Sequence, residues 1–282
     1  MRTGAVVAML AAAVVVTGLE VPTATAAPRQ AATRHDNLLV PLYDNADPAD
    51  WSRACAQANG SGGGSWIIAD PAQGAGPGDR ALANWSHVIN NCYTYGRASV
   101  IGYVWTDYGR GGSASLASIK AQVDKYFAFY PGGIAGIFFD GVADAVPETG
   151  ASNQAFYQQL ASYVHARTDG NDEVVFNFGS NPGSDWMLRS TSARNADIVV
   201  TFEGSYNDPA LNPLTQWKPA AWESRYPAND FAALVYEAPT STGVPQPATA
   251  CAALKQQRVG YVYVGTWYSE LAPYYGDLAT YC

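Results

Sequence analysis

Two patterns alternate along this chain: short unbroken apolar runs, and longer stretches in which apolar residues recur every three or four positions. Unbroken runs of roughly four to eight residues read as buried strands, and the wider spacing reads as helices with one apolar face. The runs predict strands at 38–43, 65–70, 99–105, 134–140, 173–178, 197–203, 231–237 and 258–265. The clearest helices fall between them, at 79–92, 115–130, 152–167 and 248–257. In the stretch 152–167, Phe156, Leu160, Tyr163 and Val164 share a face, and Asp79 and Ser152 are the expected N-caps of their helices. Weaker helices are expected after the first, fifth and sixth strands, and the last is short. Eight strand–helix units predict an α/β fold, a single-domain (β/α)8 TIM barrel. A doubly wound open sheet is the main rival, but no Gly-x-Gly-x-x-Gly follows a strand to bind a dinucleotide. The run Gly60-Ser-Gly-Gly-Gly64 precedes a strand rather than a helix and reads as a turn.

The ends of the chain read differently. Arg2, the apolar stretch 5–19 and the small residues Ala24-Thr25-Ala26-Ala27 have the order of a secretory signal peptide over 1–27. The apolar stretch is too short for a membrane span. Residues 28–37 read as a flexible leader and 38–282 as the barrel, so an extracellular location with no membrane partner is expected. Four cysteines in an exported chain suggest two disulfides, with three pairings possible. Cys55 with Cys92 and Cys251 with Cys282 is favoured: the first would join neighbouring helices, the second would pin the C-terminal residue. No Cys-x-x-Cys occurs, and His35, His87 and His165 lack zinc-like spacing, so no metal is expected.

Charge narrows the partner. The net charge is −8 and no basic stripe occurs, which argues against nucleic acid and anionic membrane surfaces. Nothing in the pattern requires a cofactor or more than a monomer. Only 14% of residues are charged, yet 8 Trp and 18 Tyr are present, and flat rings that also hydrogen-bond suit semi-polar surfaces such as sugars. In a barrel, every strand's carboxyl end opens on the active-site face. That would gather Tyr43, Asp70, Trp105, Asp140, Asn177, Glu203, Glu237 and Trp267 around one mouth. Carboxylates, amides and aromatics without a cationic clamp suit glycoside hydrolysis better than phosphoryl transfer. Asp140 and Glu203 are the expected catalytic pair, each closing an apolar run, in Gly136-Ile-Phe-Phe-Asp140 and Asp197-Ile-Val-Val-Thr-Phe-Glu203. Tyr43, Trp105 and Trp267 are expected to support sugar rings, with Tyr103, Asn177 and Tyr206 supplying hydrogen bonds and Asp70 and Glu237 also contacting substrate. For Asp70, which precedes Pro71, an Asx-type turn is the plainer explanation. No Gly-x-Ser-x-Gly elbow supports a serine nucleophile.

The order and spacing of Val40-Pro-Leu-Tyr43, Trp66-Ile-Ile-Ala-Asp-Pro71, Gly76-Pro-Gly78, Ile101-Gly-Tyr-Val-Trp-Thr106, Tyr126 to Tyr130 and Gly133-Ile-Ala-Gly-Ile-Phe-Phe-Asp140 resemble the spherulin-4-like family. The resemblance runs from Leu38 to about Ser269. It implies a secreted (β/α)8 glycoside hydrolase that cleaves α-1,4-linked N-acetylgalactosamine in galactosamine-containing exopolysaccharides, with retention of configuration. By the same resemblance Asp140 is the nucleophile and Glu203, in Thr201-Phe-Glu-Gly204, the acid/base. The family's Phe-Phe-Asp-Glu ending is similar to Phe138-Phe-Asp140-Gly141, so the Asp matches and the adjacent Glu is replaced by Gly. At Asp70 the family more often has Asn, and the extra carboxylate would favour a positively charged, deacetylated unit. The alternative is a catalytically impaired carbohydrate-binding barrel at the cell surface, for which Gly141 is the feature that speaks.

Overall fold

Each apolar run becomes a strand buried along most of its length, and the strands pair in chain order. In the computed structural model they are β1 (Asn37–Leu42), β2 (Trp66–Ala69), β3 (Ser99–Trp105), β4 (Ile134–Asp140), β5 (Glu173–Asn177), β6 (Ile198–Ser205), β7 (Phe231–Tyr236) and β8 (Tyr261–Val264). Every pairing is parallel and β8 closes on β1, giving a closed (β/α)8 barrel. The structure describes residues 37–282 apart from 44, 61–64, 75, 97–98, 168–171, 189–194, 240–245, 269, 277 and 279–281. The expected signal peptide, most of the leader and most of the 60–64 turn lie outside the described residues; Asn37 already belongs to β1. The described residues form one compact unit.

Strands buried on both faces explain why the sequence shows runs rather than alternation. One set of side chains faces outward to the helices: Phe139 and Phe176 pack edge-on, and Tyr157 of α4 (Gln154–His165) packs on Phe176. The other set crosses the interior. Tyr43, just past β1, touches Tyr103 of β3 and Phe138 of β4 although neither strand pairs with β1. Helix α3 (Leu116–Phe129) is fastened by Tyr126, whose hydroxyl donates toward the carbonyls of Ala69 and Tyr103 at 3.0 and 2.8 Å.

The helices α1 (Pro48–Gly60), α3, α4 and α5 (Gln246–Gln256) stand where the periodicity placed them, and Ser115 caps α3 through the Ser118 amide. Helix α2 (Ala83–Asn91) starts later than expected, and Asp79 is not its cap. The cap position is Leu82, and the preceding segment is bonded instead to Lys125 of α3, which donates to the Gly78 carbonyl and the Asp79 carboxylate at 3.1 and 3.0 Å. The cap position of α4 is Asn153 rather than Ser152, and the Asn153 amide is spent on the carbonyls of Tyr108 and Ala143. Among the described residues no helix follows β5, and short 3-10 segments (Ala221–Arg225 and Ala228–Asp230) follow β6. Strand β6 runs two residues beyond Glu203. Gly204 permits this, because a Cβ there would lie 2.1 Å from the Asn212 carbonyl of the returning loop. Disulfides join Cys55 to Cys92 and Cys251 to Cys282, with Cα–Cα distances of 5.3 and 5.1 Å. No helix among the described residues is long and apolar enough to cross a membrane.

Candidate active site

Three neighbouring strands deliver the centre of the site. Asp140 and Asn177 are the last residues of β4 and β5, and Glu203 lies near the end of β6. The Asn177 side chain is turned by its own loop: its carbonyl oxygen accepts the Gly179 amide at 2.9 Å, so its nitrogen faces the acids. That nitrogen donates to Asp140 Oδ1 at 2.7 Å and to Glu203 Oε2 at 2.6 Å. The two carboxylate oxygens are therefore no more than about 5.3 Å apart, the sum of those two lengths. Asp140 accepts twice more, from the Gly141 amide at 2.8 Å and from the Tyr103 hydroxyl at 2.6 Å.

The two acids differ in how well their charge is supported. Burial raises the pKa of both. For Asp140 the three donors oppose the rise without cancelling it. For Glu203 burial and then the Asp140 charge lift it from 4.5 to about 7, opposed by Asn177 and Tyr268. Paired carboxyls whose environments push their titrations apart can divide into an acid and an anion. Around them stands a tyrosine wall. Tyr103 stacks on Phe138, Tyr43 meets Tyr103 and Tyr268, and burial pushes the phenols of Tyr43, Tyr103 and Tyr268 upward, keeping them neutral.

Trp105 borders the pair from β3, in register with Asp140. Its indole fills the space beside Gly141, where a Cβ would come within 2.6–3.0 Å of the ring. Gly141 also has φ +64°, so a side chain there would meet both backbone strain and the indole. Thr106 pins the same turn, its hydroxyl within 2.7 and 2.8 Å of the carbonyls of Asp140 and Gly141. Tyr108 packs edge-on against Trp105, and Arg110 covers the Tyr108 ring while pairing with Asp107 and Glu148.

Four other expected residues, Asp70, Glu237, Trp267 and Tyr206, make no hydrogen bond to either acid among the described bonds. The Asp70 carboxylate is buried and closes the loop after β2 by accepting the Gly74 amide, four residues on rather than the two of an Asx turn. Glu237 follows β7 with φ +55° and is turned outward to an exposed position. Trp267 is 54% exposed at the rim, against Tyr236 and Tyr268. Tyr206 is half-buried and its backbone pairs with Tyr236, with no contact to either acid among the described bonds. Tyr43 is a wall, not a platform, since its ring is enclosed by three others. Tyr268 was not anticipated: it lies in a loop without periodicity, beside the more conspicuous Trp267. The described residues contain no group of three or more His, Cys, Asp or Glu able to hold a metal.

The chain belongs to the Spherulin4 family, spherulation-specific family 4, whose model matches residues 37–281. Among solved structures it is similar to Sph3 of Aspergillus clavatus, determined in complex with GalNAc. The identity is 18% and the TM-score 0.64, covering 88% of this chain and 97% of Sph3. Weaker likenesses include a GH18 chitinase from Chromobacterium violaceum (12% identity, TM-score 0.45, 88% and 80% covered) and a 2,3-dimethylmalate lyase (12%, 0.39, 82% and 76%). At 18% identity the likeness to Sph3 is one of fold. No curated protein matches the chain in sequence.

Proposed function

We propose that this chain is a secreted, monomeric glycoside hydrolase that cleaves α-1,4-linked galactosamine or N-acetylgalactosamine polymers with retention, its first 27 residues serving as the export signal. The observation that carries the reading is the single Asn177 nitrogen bonded to both Asp140 and Glu203. Carboxyl groups about 5–5.5 Å apart suit a covalent glycosyl intermediate, whereas inversion needs roughly 6.5–9.5 Å to admit a water between them. Family membership and the amino sugar bound by Sph3 support the choice of polymer.

In this mechanism Glu203, protonated up to about neutral pH, gives its proton to the glycosidic oxygen as the bond to the anomeric carbon breaks. Asp140, anionic under three donors, forms the new bond to that carbon. Water then attacks the glycosyl-enzyme, Glu203 takes the water's proton, and the sugar leaves with its original configuration. Asn177 holds one oxygen of each acid near the other, and the Trp105 ring lies beside the turn after Asp140. Release of reducing ends from galactosamine-containing polysaccharide by residues 28–282, lost in D140N and E203Q, is the expected result. Binding without release would mean a sugar-binding barrel, and neither would remove the proposed polymer.

A further inference from the structure

Tyr268 has a hydroxyl that the resting structure leaves without a well-formed hydrogen bond. It is sealed from solvent and, although it faces Glu203, completes no well-formed hydrogen bond with it. Buried polar groups seldom stay unpaired, because an unmade bond costs most of the group's hydration. Water and substrate cannot reach this one as it stands, so its partner must be a protein group already at hand. Its ring is fixed by Tyr43, Tyr236, Tyr263 and Trp267, with centroids 5.6 to 6.4 Å away, leaving rotation of the O–H as its main freedom. The charge acting on it most strongly is that of Glu203.

Glu203 has a matching vacancy. Its Oε2 is taken by Asn177, which can only donate there, so the proton of the neutral acid sits on Oε1. The ionisable groups facing this carboxyl are Asp140 from β4, Tyr103 from β3, Tyr236 from β7, Tyr43 beyond β1 and Tyr268 beyond β8. Asp140 already accepts three hydrogen bonds, and Tyr103 is committed to it. Tyr236 points its hydroxyl at the Leu211 carbonyl.

We propose that Tyr268 is a positioning residue for Glu203, its hydroxyl turning to donate to the carboxylate once Glu203 has lost its proton and turning away when the proton returns. The inference rests on the acid/base role proposed above. When Glu203 protonates the leaving oxygen, the carboxylate left behind gains a charge-assisted bond; when Glu203 takes the proton of the attacking water, that bond is released. No atom beyond the transferred proton moves between molecules, and Tyr268 stays a neutral phenol throughout. The donor lies where negative charge develops, so it acts on the first step more than on sugar binding.

Titration of the Glu203 carboxyl carbon by 13C NMR, assigned by its loss in E203Q, tests this without any sugar. In Y268F the midpoint rises by about half a unit or more, because a donor to the anion is gone. Replacing Tyr268 with 3-fluorotyrosine, a stronger donor, moves the midpoint down, a direction that a merely apolar or packing effect would not produce. On a cleaved polymer, Y268F loses about ten- to hundredfold in kcat/KM, carried by kcat, and its alkaline limb moves with the midpoint. If both replacements leave the midpoint within about 0.2 units, the role is wrong, whatever polymer is cleaved. If Y268F fails to fold, the fluorotyrosine protein alone decides. Loss of polymer cleavage in the parent would overturn the proposed substrate and leave the titration standing.

Discussion

The charge of Asp140 and the burial of Glu203 can be separated by one substitution, D140N. The facing oxygens are no more than about 5.3 Å apart, as set by the Asn177 nitrogen between them. Two unit charges at that distance repel by about 3 kcal/mol at an effective dielectric of about 20, equivalent to about two pH units. Three donors spread the charge of Asp140, and burial is the larger cause of Glu203's rise from 4.5 to about 7. D140N therefore brings the Glu203 midpoint down by about one to two pH units, to a value still above 4.5. Carboxyl 13C titration between about pH 4 and 9 reads this directly, and near-UV circular dichroism verifies that the fold is kept. A midpoint that stays near 7 would mean the two carboxyls do not sense each other and are no catalytic pair. A fall all the way to 4.5 would remove burial as the leading cause and with it the account of Glu203 as the proton donor.

Glu203 also ties stability to pH: its proton is held more tightly in the folded protein, so this contribution is complete below about pH 4.5 and is lost as pH rises through about 7. The loss is about 3 kcal/mol, so urea unfolding of E203Q against the parent should diverge by about that amount at pH 8 and converge in acid; parallel curves would contradict it. N177A removes a donor shared by both acids and should cut kcat/KM about 100-fold or more while raising the Glu203 midpoint, since a bond to a charged group is worth about 1.5–3 kcal/mol. Retention of parental kcat/KM would show that the bridge has no part in the chemistry. G141A should destabilise by about 1–3 kcal/mol from the positive φ alone, with a further cost from the Trp105 ring that W105A relieves. A double-mutant cycle with no coupling would mean that the indole does not occupy that space.

What the sequence could reveal about the site follows from how far the pleat reaches. Inside a strand, side-chain direction is fixed by the period of two, so a polar residue ending an apolar run is aimed before anything else is known. Tyr103, Trp105, Asp140, Asn177 and Glu203 all lie within strands, and all converge on the mouth. One residue further on, the loop sets direction instead. Asp70 is taken by the Gly74 amide, Glu237 is swung outward by a positive φ, and Tyr43 is trapped among other rings. Three and four residues beyond β8, Trp267 and Tyr268 exchange the roles their chemistry suggests: the larger ring is left on the rim and the phenol is sealed beside Glu203. The barrel was legible for the same reason, since strands covered on both faces must be apolar throughout. Helix starts were less so: Asp79 is a sound cap by type, yet it pairs with Lys125, 46 residues away, and the helix is capped at Leu82 without a side-chain bond. Catalytic placement in this fold therefore needs little more than strand ends, whereas substrate contacts depend on loop closure. An attempt to change which sugar is accepted should thus target the turns after β3 and β8, where Trp105 meets Gly141 and Tyr268 meets Glu203, rather than the strand residues that carry the acids.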